Sequence, residues 1–159
     1  MGRLPHRGAA LTPALAATLA MVADVLTAAK RPWWVIGSAA VVLHGGTTNA
    51  RDVDVIVGID DVETIAAATG ARAIEAGDDP LFRSERFLRW DGAPMPVEFM
   101  AGFRVRNRDE WRRVEPRTRE RIDVDQASIF VPGRLELRYI LEAFGRPKDM
   151  ARAQLLGRP

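Results

Sequence analysis

Ile36-Gly37-Ser38, followed thirteen residues after the serine by Arg51-Asp52-Val53-Asp54-Val55, is the stretch on which the fold turns. Trp33-Trp34-Val35-Ile36 is a short apolar run between Pro32 and Gly37, which predicts a buried strand. Ser38 is placed to cap a short helix from Ala39 to about His44, and Gly45 to Asn49 reads as a loop. Val53 to Val57 predicts a second strand, with Val53, Val55 and Val57 on one face and Asp54 and Ile56 on the other. A glycine between strand and helix lets backbone approach a ligand, and a helix start offers unpaired N–H groups to an anion. Strand-Gly-Ser-helix is also a common structural connection. Alternation sets Asp52 and Asp54 on one face, about 7 Å apart. Two such carboxylates repel and resist burial unless a cation sits between them, and Mg²⁺ suits an all-oxygen site. A solvated strand end, with Asp52 paired to Arg51, accounts for the same residues.

Working outward, Glu98 stands between apolar neighbours in Pro96-Val97-Glu98-Phe99-Met100. If its strand lies beside the one bearing the aspartates, it supplies a third carboxylate, able to ligate a metal or accept a proton. Otherwise it is an ordinary solvent-facing strand glutamate. Phe82–Trp90 and Met95–Met100 flank Asp91-Gly92 and predict a hairpin, with Pro96 near an edge or at a strand start. Leu11, Leu15, Leu19, Val22 and Leu26 form one apolar stripe of an N-terminal helix that Thr12 caps and Pro13 opens. Asp60 or Asp61 caps a helix running to Thr69 and ended by Gly70. A short helix is expected over Asp109–Val114, and one or two strands over Arg121–Val131, interrupted near Gln126. Helices are expected from Arg134 to Phe144, closed by Gly145, and from Lys148 to Leu156 after Pro147.

The chain has 159 residues, 47% hydrophobic and 28% charged, which suits one globule and excludes a disordered or collagen-like chain. No repeat or long linker divides it, so one mixed α/β unit over 1–159 is expected: an N-terminal helix within 1–30, a sheet core over 33–131 and C-terminal helices over 133–157. Without cysteine there is no disulfide, zinc knuckle or thiol nucleophile, as fits a reducing cytoplasm. Arg3 and Arg7 precede an uncharged stretch from Gly8 to Ala23, but Pro13 and the alanine content speak against a secretory signal. No segment is long and apolar enough to predict a membrane span, so a cytoplasmic protein is expected. Basic charge is carried by 21 Arg and only two Lys, Lys30 and Lys148. Eight Arg against four acids lie between Arg104 and Arg121, a basic concentration that reads first as a solvated face and second as an RNA contact. Trp33-Trp34 reads as core before dimer contact.

Together these elements resemble the polymerase-beta-like nucleotidyltransferase superfamily: Ile36-Gly37-Ser38, the spacer Ala39 to Arg51, Asp52-Val53-Asp54-Val55, and Val97-Glu98-Phe99. Gly145-Arg146-Pro147-Lys148-Asp149-Met150 is similar to the Arg-Pro-Lys-Asp segment of small abortive-infection-type, toxin-like members. The resemblance spans about residues 33–155 and implies a mixed sheet flanked by helices. It further implies that Asp52 and Asp54 hold two Mg²⁺ (or Mn²⁺) ions and that Gly37 and Ser38 contact the β- and γ-phosphates of an NTP such as ATP. Glu98 would share a metal and activate an acceptor hydroxyl, and Lys148 would be a point charge on the triphosphate, with Asp149 orienting it or capping the last helix. Relatives often carry Arg-x-Thr before the aspartates; here Thr48-Asn49-Ala50 occupies that stretch and Arg51 adjoins Asp52, where it is the arginine available to the nucleotide. The acceptor implied is a protein, an RNA end or a small molecule. A catalytically silent member that binds nucleotide, or a partner chain in a toxin–antitoxin-like pair, is the competing reading.

Overall fold

The computed structural model describes residues 10–75 and 77–157; the start of the N-terminal segment, with Arg3 and Arg7, lies outside them. The first helix, α1 (Pro13–Val25), begins as its sequence predicts, with the Leu15 amide donating to the Thr12 hydroxyl at 3.1 Å and proline in the first turn. Its stripe of Leu15, Leu19 and Val22 is buried. β1 (Trp34–Ile36) leads directly into α2 (Gly37–Leu43), and β2 (Val53–Val57) follows the loop. Here the structure corrects one local assignment. Ser38 lies inside the first turn of α2; the cap position is Ile36, which makes no side-chain capping bond.

Beyond β2 come α3 (Val62–Thr69), β3 (Arg72–Ala73), β4 (Phe82–Arg83), β5 (Arg86–Trp90) and β6 (Val97–Ala101). Gly70 closes α3. Neither Asp60 nor Asp61 caps it through its side chain. Asp61, 2% exposed, instead accepts from the Lys30 and Arg31 amides at 2.8 and 3.0 Å, tying the loop before β1 to the start of α3. The strand expected over Phe82–Trp90 is two strands in different sheets, broken at Ser84-Glu85. Its second half does form the hairpin across Asp91-Gly92, since β5 and β6 pair antiparallel. Pro96 precedes β6, but that strand is interior, not an edge.

β7 (Arg104–Asn107) and β8 (Glu110–Arg113) form a hairpin where a helix is expected over Asp109–Val114. Arg108 and Asp109 both take positive φ, 52° and 65°, the two-residue turn geometry whose twist matches paired strands. Neither residue advertises such a turn as Asn-Gly would. Where one or two strands are expected over Arg121–Val131, β9 (Glu120–Val124) and β10 (Ala127–Val131) pair antiparallel, and α4 (Arg134–Phe144) and α5 (Pro147–Leu155) follow.

The central sheet has the order β1-β2-β6-β5-β3, in which only β2 and β6 are parallel. Val53, Val55, Phe99 and Leu88 alternate to one face and are at most 1% exposed. The opposite face carries Asp54 and Glu98, with Ile56 and Met100 buried on the same side. α2 packs along β1 and β2, α3 beside β5, and α1 against the β9–β10 hairpin. Trp33 is core, edge-on to Phe130 at 5.3 Å, while the Trp34 indole N–H donates to the Thr118 carbonyl at 2.9 Å. Among the described residues no helix is long and apolar enough to cross a membrane.

The basic stretch over 104–121 is largely neutralised in place. Arg104, Arg106, Arg112, Arg113 and Arg121 each pair with a nearby carboxylate, and Arg119 lies over the Phe130 ring at 3.6 Å. Glu136 anchors the preceding loop, accepting from the Arg117 and Thr118 amides at 2.8 Å each and from the Thr118 hydroxyl. Burial alone would raise its pKa, but these donors and the Arg117 charge together lower it. A carboxylate held below its unfolded pKa stabilises the fold at neutral pH and loses that contribution as pH falls through the folded value. Glu136→Gln therefore lowers stability by about 1 kcal/mol at pH 7, discounted for solvent screening. In denaturant titrations the deficit relative to wild type should shrink below about pH 4.5.

Candidate active site

Two strand registers assemble the site. β2 and β6 run parallel with Asp54 directly opposite Glu98, and β1 runs antiparallel to β2 with Ile36 opposite Asp54. The first register brings together the carboxylates of two separate motifs. The second sets the β1–α2 turn immediately above them. Asp52, Asp54 and Glu98 each offer an oxygen, and these oxygens lie within 4.8 Å of one another. Gly37 turns the chain with φ +68°, and a Cβ there would meet Asp54 Oδ2 at 3.0 Å. Glycine is thus required twice over, by the backbone conformation and by the closeness of the carboxylate.

The electrostatics of this cluster are unfavourable without a cation. Burial pushes the Asp54 carboxyl well above the usual carboxylate range. The charges of Asp52 and Glu98, and a hydrogen bond with Glu98, act in the same direction, with Arg146 opposing. Asp54 Oδ1 is inaccessible to solvent and has no hydrogen-bond partner. Glu98 has a cross-strand partner in Arg89 at 3.5 Å. An orphaned buried carboxylate oxygen, two neighbouring carboxylates and a purely oxygen donor set suit Mg²⁺ or Mn²⁺. The residues therefore fit a hard divalent cation.

The cluster forms part of the wall of a cleft of about 820 Å³. Ser38, Arg51, Lys148 and the three acids all line it, so those expected site side chains are brought to one cavity. Gly37 lies alongside through its contact with Asp54. Arg51 and Lys148 are exposed at the cleft. Asp149 does not serve Lys148. It is 1% exposed and caps α5, accepting from the Arg146 backbone and guanidinium. Three arginines that line the cleft are not among the site residues expected from sequence: Arg83, Arg146 and Arg152. Arg152 was within reach: Lys148, Ala151, Arg152 and Leu155 recur at helical spacing and form the stripe of α5 that lines the cleft. Arg146 had a weaker signal, a capping position with an aspartate three residues later.

At the level of sequence, no family model and no curated protein matches the chain. Solved structures do. A Thermotoga maritima protein assigned to the nucleotidyltransferases aligns with a TM-score of 0.64 at 19% identity, covering 77% of this chain and 80% of that one. The lincosamide antibiotic adenylyltransferase LnuA, solved with lincomycin, gives 0.56 at 11% identity over 86% and 92%. The antibiotic-resistance factor ANT(2'')-Ia gives 0.56 at 12% identity over 87% and 81%. The chain has the nucleotidyltransferase fold, a mixed sheet flanked by helices.

Proposed function

We propose that this protein is a Mg²⁺-dependent nucleotidyltransferase that moves an NMP group from an NTP to a hydroxyl acceptor and releases pyrophosphate. The observation that carries this reading is the β2–β6 register, which sets Glu98 against Asp54 and so brings three carboxylates together beside the Gly37 turn. Asp52, Asp54 and Glu98 would hold the metal, which supplies charge neutralisation to the phosphoryl oxygens. Gly37 offers closely approaching backbone and Ser38 a hydroxyl to the outer phosphates. Arg51 and Lys148, which both line the cleft, add positive charge. The acceptor oxygen forms a bond to the α-phosphorus while the bond to the bridging α,β-oxygen breaks, and pyrophosphate leaves with that electron pair. Glu98 takes the acceptor's proton. ATP is the first donor to test and a small molecule the first acceptor, since LnuA and ANT(2'')-Ia share the fold.

Saturating Mg²⁺ with the preferred NTP should raise Tm by about 5–10 °C at a hundredfold excess over Kd. Neither component alone should do so, and Asp52→Asn should remove the shift. Pyrophosphate release with a panel of hydroxyl acceptors then reads turnover. Absence of any shift with all four NTPs, together with no pyrophosphate, would sink the proposal and leave the carboxylates to a non-catalytic member of the fold.

A further inference from the structure

Arg146 is held more firmly than a helix start requires. Its Nε donates to Asp149 Oδ2 at 2.6 Å, its Nη2 to Oδ1 at 3.1 Å, and its backbone N–H to Oδ2 at 3.2 Å. Asp149 is 1% exposed, so both carboxylate oxygens are committed inside the protein. The guanidinium carbon lies 4.8 Å from the centroid of Phe82. That ring is in turn packed edge-on against Phe144 at 4.9 Å and stacked with Phe103 at 5.6 Å. Fork, ring and backbone together fix the plane of the guanidinium. A serine, threonine or asparagine would cap α5 at least as well, so capping does not explain an arginine here.

The fixed group also faces the cleft. Arg146 lines it together with Lys148 and Arg152, and its side chain remains 36% exposed. Among the described residues, the Nη1 nitrogen has no hydrogen-bond partner. Two of its N–H bonds are thus available on a guanidinium that is already oriented. The Arg146 charge is also felt at Asp54, where it opposes the effect of burial and of the other two carboxylates.

We infer that Arg146 is a phosphate-binding residue of the site, its free Nη1 edge donating to the outer phosphates of the nucleotide and to the departing pyrophosphate. Asp149 and Phe82 are its positioning residues. This rests on the nucleotidyltransferase reading and adds to it a planar, pre-oriented donor beside the point charge of Lys148. A guanidinium locked before ligand arrives loses little side-chain freedom on binding, which is the advantage of the buried Asp149 partner.

The test uses base-free probes, because the recognised feature is the polyphosphate. Mg²⁺-tripolyphosphate, Mg²⁺-pyrophosphate and Mg²⁺ alone are titrated calorimetrically into the full chain and its variants. Arg146→Lys keeps the charge and an ion pair to Asp149 but cannot serve that carboxylate and a phosphate at once. It should weaken both polyphosphates tenfold or more while leaving affinity for Mg²⁺ alone within twofold and Tm within a few degrees. Asp149→Asn still accepts from the Arg146 backbone N–H and should give a smaller loss in the same titrations. Full tripolyphosphate affinity in Arg146→Lys would overturn this inference and leave the nucleotidyltransferase reading standing. Wild-type protein that binds neither polyphosphate nor any Mg²⁺-NTP would overturn both. Should Arg146→Lys fold poorly, Arg146→Gln with Asp149→Asn removes the buried charge with its partner, and the same tenfold loss is expected.

Discussion

Asp54→Asn should raise the melting temperature of the metal-free protein while abolishing its response to Mg²⁺-NTP. The two effects have one cause. In the metal-free fold, Asp54 is a carboxylate in poor surroundings, with a buried oxygen that no group satisfies and two further acids within reach of a shared cation. Its folded-state pKa lies above the unfolded value, chiefly through burial and then through Asp52 and Glu98. The sign follows from linkage: a raised carboxyl pKa contributes stability that is complete below the unfolded value and is lost as pH rises through the folded one. At neutral pH the ionised form is therefore a net cost. Asparagine keeps the shape, removes the charge and can donate to the neighbouring carboxylates. A gain of about 1–2 kcal/mol, or about 3–6 °C, is expected without metal. The gap between variant and wild type should open as pH rises from about 4. Added Mg²⁺ should reverse the ranking, because only the wild type retains all three carboxylates. Turnover should fall at least about a thousandfold, since charge stabilisation of this kind supplies several kcal/mol. Thermal melts across pH with and without Mg²⁺, beside pyrophosphate release, measure all of this. A variant no more stable than wild type without metal, yet still shifted by Mg²⁺-NTP, would show that Asp54 is not the strained ligand described here.

Gly37→Ala should separate backbone strain from site geometry. Gly37 and Gly70 share nearly the same positive φ, +68° and +69°. A Cβ at Gly70 meets nothing within 4 Å, whereas one at Gly37 meets Asp54 Oδ2 at 3.0 Å. Both alanine variants bear the left-handed penalty, about 1–2 kcal/mol. Only Gly37→Ala also displaces the carboxylate by a few tenths of an ångström and adds bulk where backbone is to approach phosphate. Gly70→Ala should therefore lose stability with nucleotide affinity intact. Gly37→Ala should lose similar stability and at least about tenfold in Mg²⁺-NTP affinity, a loss of about 1.4 kcal/mol. Equal binding by the two variants would remove the β1–α2 turn from the nucleotide site.

Where the chain's own neighbours decide a conformation, the residues announce it. Thr12 and Pro13 start α1 because a hydroxyl and a ring without an N–H solve a helix N-terminus locally. Gly70 and Gly145 end α3 and α4 for equally local reasons. The alternation over Val53–Val57 is likewise legible in the chain itself, and Asp91-Gly92 marks the connection between β5 and β6, although that connection is also held by the Met95 amide donating to the Thr18 hydroxyl at 3.0 Å. By contrast, Glu110–Arg113 has almost no apolar content to set a period. It is a strand because β7 pairs with it and because Arg83 lies over the Trp111 ring at 4.1 Å. Asp61 turned from the expected cap to the Lys30 and Arg31 amides because a buried carboxylate takes whichever backbone donors the fold presents.

The site divides in the same way. Asp52, Asp54, Gly37 and Ser38 are close in sequence, and patterning within that stretch marks the strands and the turn between them, although Ser38 stands inside α2 and not at its cap and Asp52 just precedes β2. That Glu98 joins them was open until the parallel β2–β6 register placed it opposite Asp54. A strand glutamate carries no mark of which strand it will lie beside, because parallel pairing is decided by long-range packing of both strands' apolar faces. Arg146 shows the same dependence: the sequence displayed a helix start, and only the packing of Phe82, Asp149 and the cleft wall turned its side chain into a fixed donor. Sequence alone determined the elements whose stability is local and the acids able to hold a cation. Tertiary structure decided which of them meet, because meeting requires registers and packed surfaces that no short stretch of chain contains.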